Sequence, residues 1–229
     1  MQVFTRFSIV CGAILLAVSS VGIMRVAYGQ QNRLYAGYWL YGSEVDGYSG
    51  VSERIFTINP TISGQNFIAE WGSIVLKYFP YRYWLQIGYT KGWDTNFQLK
   101  YFWEIQDVYY YRKGFFGAPN PSTVHAYLIA HPYDYGESIY EEEWRFYVDG
   151  ATVMVDLVEP HVARDQQAKV ETTSSSMVID GSHFQRLSYL TNDHYWHWVF
   201  WETHLPYCDH PPYSLTQTED YEFYANGGG

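Results

Sequence analysis

A period of two runs through most of this chain. Apolar residues recur at i and i+2 in one segment after another, and no long stretch holds the i, i+3, i+4 spacing of an amphipathic helix. The segments are LYAGYWLYG (34–42), GVSERIFTINP (50–60), FIAEWGSIVLKY (67–78), YWLQIGYTKGW (83–93), FQLKYFWEI (97–105), VHAYLIAH (124–131), EEWRFYVDGATVMVDL (142–157), AKVETTSS (168–175), FQRLSYL (184–190) and HYWHWVFWETH (194–204). Alternate side chains of a strand point to opposite faces, so each segment has one face to bury and one to present. Pro60, Pro80, the GAPNPS stretch and Pro160 punctuate the intervals, and Asp149-Gly150 reads as a hairpin turn. With 24 Tyr, 13 Phe and 9 Trp, a fifth of the chain is aromatic, which favours sheets. The expected fold is all-β: a two-sheet antiparallel β-sandwich of the jelly-roll or concanavalin-like kind, one domain over 30–204. The segment 205–229 loses the alternation and ends in three glycines, and is expected to form an irregular tail.

The first 29 residues read as a signal peptide: a basic start, an apolar run from Phe7 to Met24, and Ala27 and Gly29 at a small-residue cleavage site. An uncleaved anchor is the rival reading of that run. Export predicts a secreted, extracellular protein. Cys11 falls in the signal, leaving Cys208 as the one mature cysteine, so no internal disulfide is expected. The whole chain carries a formal charge of −10. That sign argues against nucleic acid or an anionic membrane surface as partner. Oligomeric state is left open by the sequence.

The chemistry narrows by what is missing. There is no H-E-x-x-H, no G-x-S-x-G elbow and no glycine-rich phosphate loop. In a strand over 194–204, His194 and His197 point to opposite faces, so neither metal nor another cofactor is expected. Carboxylates and amides remain, and acid–base chemistry is the class to test. Gln86 lies between Trp84 and Gly88 on one face of its strand. Glu70 in IAEWGS, Glu104 in YFWEIQ and Glu171 in AKVETTS sit among aromatic or small residues, where burial raises a carboxyl pKa.

Read in order, these segments resemble the glutamic peptidases called eqolisins. YAGYWL followed by GYSGVSERIFTINP is similar to the family's first two strands, AEWGSI to its A-W-V-G-I strand, WLQIGY to its L-Q-x-G strand and YFWEI to its W-Y-E-W strand. Neprosin-type peptidases are a more distant likeness. The resemblance implies a two-sheet sandwich, a polypeptide substrate, and two catalytic residues: Gln86 in the glutamine strand and Glu171 in a late strand, with Glu202 the weaker match for the glutamate. In that mechanism the glutamate is general base on a water and the glutamine amide stabilises the oxyanion, which requires the two side chains to face each other across one cleft. Glu104, Trp84, Trp103, Glu70 and Trp71 are candidates for the surrounding second shell or cleft. Lys169, two residues from Glu171, is expected to lower its pKa.

Three function classes follow. One is a secreted, metal-independent and acid-active endopeptidase. Another is a non-catalytic module whose exposed aromatics stack on a glycan or cell-surface polymer. The third is a structural surface protein with no small ligand, its aromatics serving packing alone.

Overall fold

The computed structural model describes residues 33–41, 48–77, 83–107, 110–131, 143–157, 163–191, 198–201 and 205–229. Residues 1–29, read above as a signal peptide, and Glu202, His194, His197 and His204 lie outside them.

Two antiparallel sheets pack face to face. The first runs, in spatial order, β13 (Leu205–Asp209), β1 (Leu34–Tyr41), β10 (Asp165–Thr172), β3 (Phe67–Lys77), β4 (Tyr83–Gly92), β5 (Lys100–Gln106) and β6 (Tyr111–Phe116). The second runs β14 (Ser214–Glu219), β15 (Glu222–Asn226), β11 (Ser182–Thr191), β2 (Tyr48–Phe56), β7 (Val124–Ala130), β8 (Glu143–Val148) and β9 (Ala151–Leu157), with β12 (Trp198–Phe200) also paired to β11. A 3-10 turn, Trp93–Thr95, joins β4 to the segment before β5. The all-β sandwich read from the alternation is the architecture found.

The core lies between the sheets and is built by the alternation. Ala36, Tyr38, Ile68, Ile74, Leu85, Ile87 and Val170 point inward from the first sheet; Val51, Ile55, Tyr127, Ile129, Phe146 and Phe184 meet them from the second. Trp144 and Trp201 are fully buried. Each such large apolar side chain contributes about 1.5–3 kcal/mol through its removal from water. Gly72 on β3 has a specific reason to be glycine: a Cβ there would overlap the carboxylate of Glu53, which reaches across the core from β2.

Two segments differ from expectation. Residues 205–229 are not an irregular tail: they supply β13, β14 and β15, and Phe223 and Ala225 are completely buried. The polar edge strand SLTQTE masks this hairpin, because only Leu215 marks the inward face. The strand YRKGFF at β6 is also absent from the alternation, since Lys113 and Gly114 interrupt it.

Candidate active site

Strand parity decides which residues share the outer face of the first sheet. Leu85, Ile87 and Tyr89 of β4 enter the core, so Trp84, Gln86 and Gly88 turn to the other side. By register Gln86 is level with Ser73 on β3, and Ser73 is level with Gln167 on β10. In the other direction Gln86 is level with Glu104 on β5, and Glu104 with Lys113 on β6. Glu171, Lys169, Trp71 and Phe102 therefore belong to the same face. Gln86 is only 6% exposed, yet its side-chain amide makes no hydrogen bond among the described residues.

Glu171 is placed diagonally from Gln86 rather than level with it. It is opposite Ala69, four residues along β10 from Gln167. Four residues of strand span about 13 Å. The direct face-to-face pairing expected of Gln86 and Glu171 is thus replaced by an oblique one, and the level neighbours of Gln86 are Ser73 and Glu104. The two carboxylates, Glu171 and Glu104, nonetheless act on one another over this face. Trp71 Nε1 donates to Glu171 Oε2 at 3.2 Å, and Arg33 forms an ion pair with Glu171 Oε1. Glu104 pairs with Lys113 at 2.9 Å, and Lys113 also holds Asp94 at 3.1 Å.

Burial raises the Glu171 carboxyl above the ordinary carboxylate range, since its side chain is almost wholly removed from water. Arg33 pulls it back down, the charge of Glu104 pushes it further up, and the Trp71 hydrogen bond lowers it slightly. Burial is the largest single influence on Arg33 and lowers it, but Glu171, Tyr35 and Glu104 together hold it above its usual value. Tyr111, although 54% exposed, is raised by the partial burial of its hydroxyl end and by Glu104 and Glu171, which ties the two carboxylates into one electrostatic cluster.

Arg33, a cation the sequence did not single out beside Lys169, forms an ion pair with Glu171. The Lys169 ammonium lies 5.5–5.6 Å from the ring centres of Tyr35, Trp39 and Trp71, and donates to Gln167 Oε1 at 2.5 Å. The aromatic walls draw that cation toward themselves. Glu70 and Trp103 fall on the other side from the one expected. Glu70 shares parity with Ile68 and Ile74 and is buried between the sheets, where Ser182 Oγ donates to it at 2.6 Å. Trp103 packs against the core and over Gly114. Trp84 does reach the outer face, with its ring 6.2 Å from that of Tyr111. Trp71 and Glu104 are on the face as well.

Arg33, Lys113, Tyr111 and Gln167 complete this face and were not singled out from sequence. Each depends on pairing between distant strands, and no local motif marks it. Gln167 Nε2 is a buried donor without an acceptor. Among the described residues no group of three His, Cys, Asp or Glu is arranged to hold a metal ion.

No protein-family model matches the sequence, and a search of curated proteins finds no match. Solved structures do match. Scytalido-glutamic peptidase with a transition-state-analogue inhibitor aligns with a TM-score of 0.58 at 10% identity, and the same peptidase with a peptide-based analogue at 0.57 and 9%. SCP-B, a member of the eqolisin family in complex with the tripeptide Ala-Ile-His, aligns at 0.54 and 9%. Each alignment covers 86% of this chain and 98% of the other. At about one identical residue in ten, the likeness lies in the course of the backbone: this chain has the fold of the eqolisin glutamic peptidases.

Proposed function

We propose that this chain is a secreted, metal-independent glutamic endopeptidase active in acid, with Glu171 as general base and Gln86 as oxyanion donor. The observation that carries the reading is a buried, uncommitted amide at Gln86 on the same sheet face as a buried carboxyl, Glu171, raised above its ordinary range. Glu171 takes a proton from a water, and the oxygen of that water bonds to the scissile carbonyl carbon. The carbonyl oxygen gains the electron pair and accepts a hydrogen bond from the Gln86 amide, a donor fixed in advance on a dry sheet surface. The proton on Glu171 then goes to the amide nitrogen as the C–N bond breaks. Arg33 limits how far burial raises Glu171, and so favours the ionised form that a base requires.

The oblique register gives Glu104 a defined part. It is the level neighbour of Gln86, and its charge also reaches Glu171. In this scheme Glu104, anchored by Lys113, tunes the base through its charge. The glycan-binding reading keeps some support on this face: Trp71 and Phe102 are 5% and 1% exposed, but Tyr111 at 54% and Phe115 at 41% offer open rings at its edge.

The test is digestion of an unfolded protein by the chain from about pH 2 to pH 7, with a chelator present. Peptide products in acid that persist with chelator are expected. A folded chain that yields none at any pH overturns the proposal.

A further inference from the structure

The outer face of the second sheet carries a different set of residues. β2 and β11 pair with Arg54 level with Gln185 and Ser52 level with Ser188, so Arg186 and Leu187 together oppose the single residue Glu53. Such a bulge re-aims side chains. Here Leu187 turns into the core, where it is fully buried, and Arg186 turns out with a φ of 53°. That left-handed conformation is unfavourable for an arginine and persists only where the surroundings impose it. The result brings two guanidinium groups to one cavity of about 260 Å³, lined also by Ser52, Ser188, Trp198 and Phe200.

Neither Arg54 nor Arg186 has an ion-pair or hydrogen-bond partner among the described residues, in a chain with 24 acidic residues and a net charge of −10. Several other cations among the described residues are engaged: Arg33 with Glu171, Arg112 with Asp156, Lys113 with Glu104, Arg145 with Glu143. Beside the two arginines stand two open rings, Trp198 at 43% and Phe200 at 47% exposure. They sit two residues apart on β12, about 7 Å along the strand, and Phe200 is backed by Tyr221 with ring centres 4.7 Å apart. Guanidinium forks suit carboxylate and sulfate groups, aromatic faces suit the flat apolar face of a pyranose, and Ser52 and Ser188 offer hydroxyls that pair with sugar hydroxyls.

We infer that this cavity binds an acidic sugar, a hexuronate or a sulfated hexose of a polysaccharide, with Arg54 and Arg186 on the acid group and Trp198 against the ring. A sugar sulfate stays charged in acid, so the site suits the conditions proposed for the peptidase. It lies on the opposite sheet and does not depend on that activity.

Affinity electrophoresis of the full chain at pH 5 in gels containing polygalacturonate, dextran sulfate or uncharged dextran tests it. Retardation by either acidic polymer and not by dextran is expected, and the stronger of the two identifies the acid group. Arg54→Gln and Arg186→Gly, the latter also relieving the left-handed backbone, should each weaken retention about tenfold or more. Trp198→Ala should weaken it as well, with proteolysis unchanged in all three. Absence of retardation, retention unchanged in the variants, or equal binding of polyglutamate, which has the charge without the ring, would overturn the inference.

Discussion

At the scale of single residues, the account turns on how Glu171 is held between opposing influences. Burial and Glu104 raise it; Arg33 and Trp71 lower it. A general base must be ionised to act, so activity rises with pH through the carboxyl's own titration. Arg33→Gln removes the main lowering influence, and the acid limb of kcat/KM should move to higher pH. The measurement is kcat/KM from about pH 2 to pH 6 in both proteins; an unmoved limb would separate Arg33 from the reacting carboxylate. Gln86 and Glu104 were legible because each lies in a strand of unbroken alternation. Arg33 was not, because it precedes β1 and meets Glu171 only through the pairing of Leu34 to Tyr41 with β10. Glu70 misled for a different reason: both faces of FIAEWGSIVLK are largely apolar, so parity alone does not say which side is the core.

Single elements were readable in the sequence, and the relations between them much less so. The run YWLQIGY announces β4 and the face on which Gln86 lies. Whether Glu171 is level with Gln86 depends on two further registers, β4 with β3 and β3 with β10, and neither is encoded in any one segment. Glycines in these strands have a spatial purpose. Gly88 is level with Trp71, and a Cβ there would overlap the Glu70 carbonyl and crowd Trp71. Gly88→Ala should therefore cost about 1–3 kcal/mol of stability through overpacking. It should also push Trp71 away from Glu171, lowering kcat. Urea denaturation and steady-state kinetics check the two effects, and a variant as stable and active as wild type would refute this role.

For the whole molecule, the sandwich interior carries its own pH dependence. Glu70 is buried between the sheets and its carboxyl is pushed up by that burial to about 8, against the hydroxyls of Ser182 and Tyr89 beside it. Glu53, also fully buried with both oxygens unpaired, is raised well above its ordinary value by burial alone. A raised acid binds its proton more tightly in the folded chain than in the unfolded one. The folded state is therefore favoured in acid and loses that advantage as pH rises from about 4.5 to about 8 for Glu70. Each pH unit in that window weakens the fold by up to about 1.4 kcal/mol per carboxyl. Thermal unfolding should show a midpoint that falls from pH 5 to pH 8, and Glu70→Gln should flatten the fall. A midpoint that rises over this range would contradict the assignment. A core that prefers acid agrees with a peptidase proposed to work there.

The central claim, that Glu171 and Gln86 carry out the chemistry, is tested most directly by kcat and KM for acid proteolysis in Glu171→Gln, Gln86→Ala and Glu104→Gln beside wild type. The account predicts a loss in kcat of about 10²-fold or more for the first two with KM little changed, and a smaller loss for Glu104→Gln. Retained activity in Glu171→Gln together with its abolition in Glu104→Gln would contradict it, and would make the level neighbour of Gln86 the base.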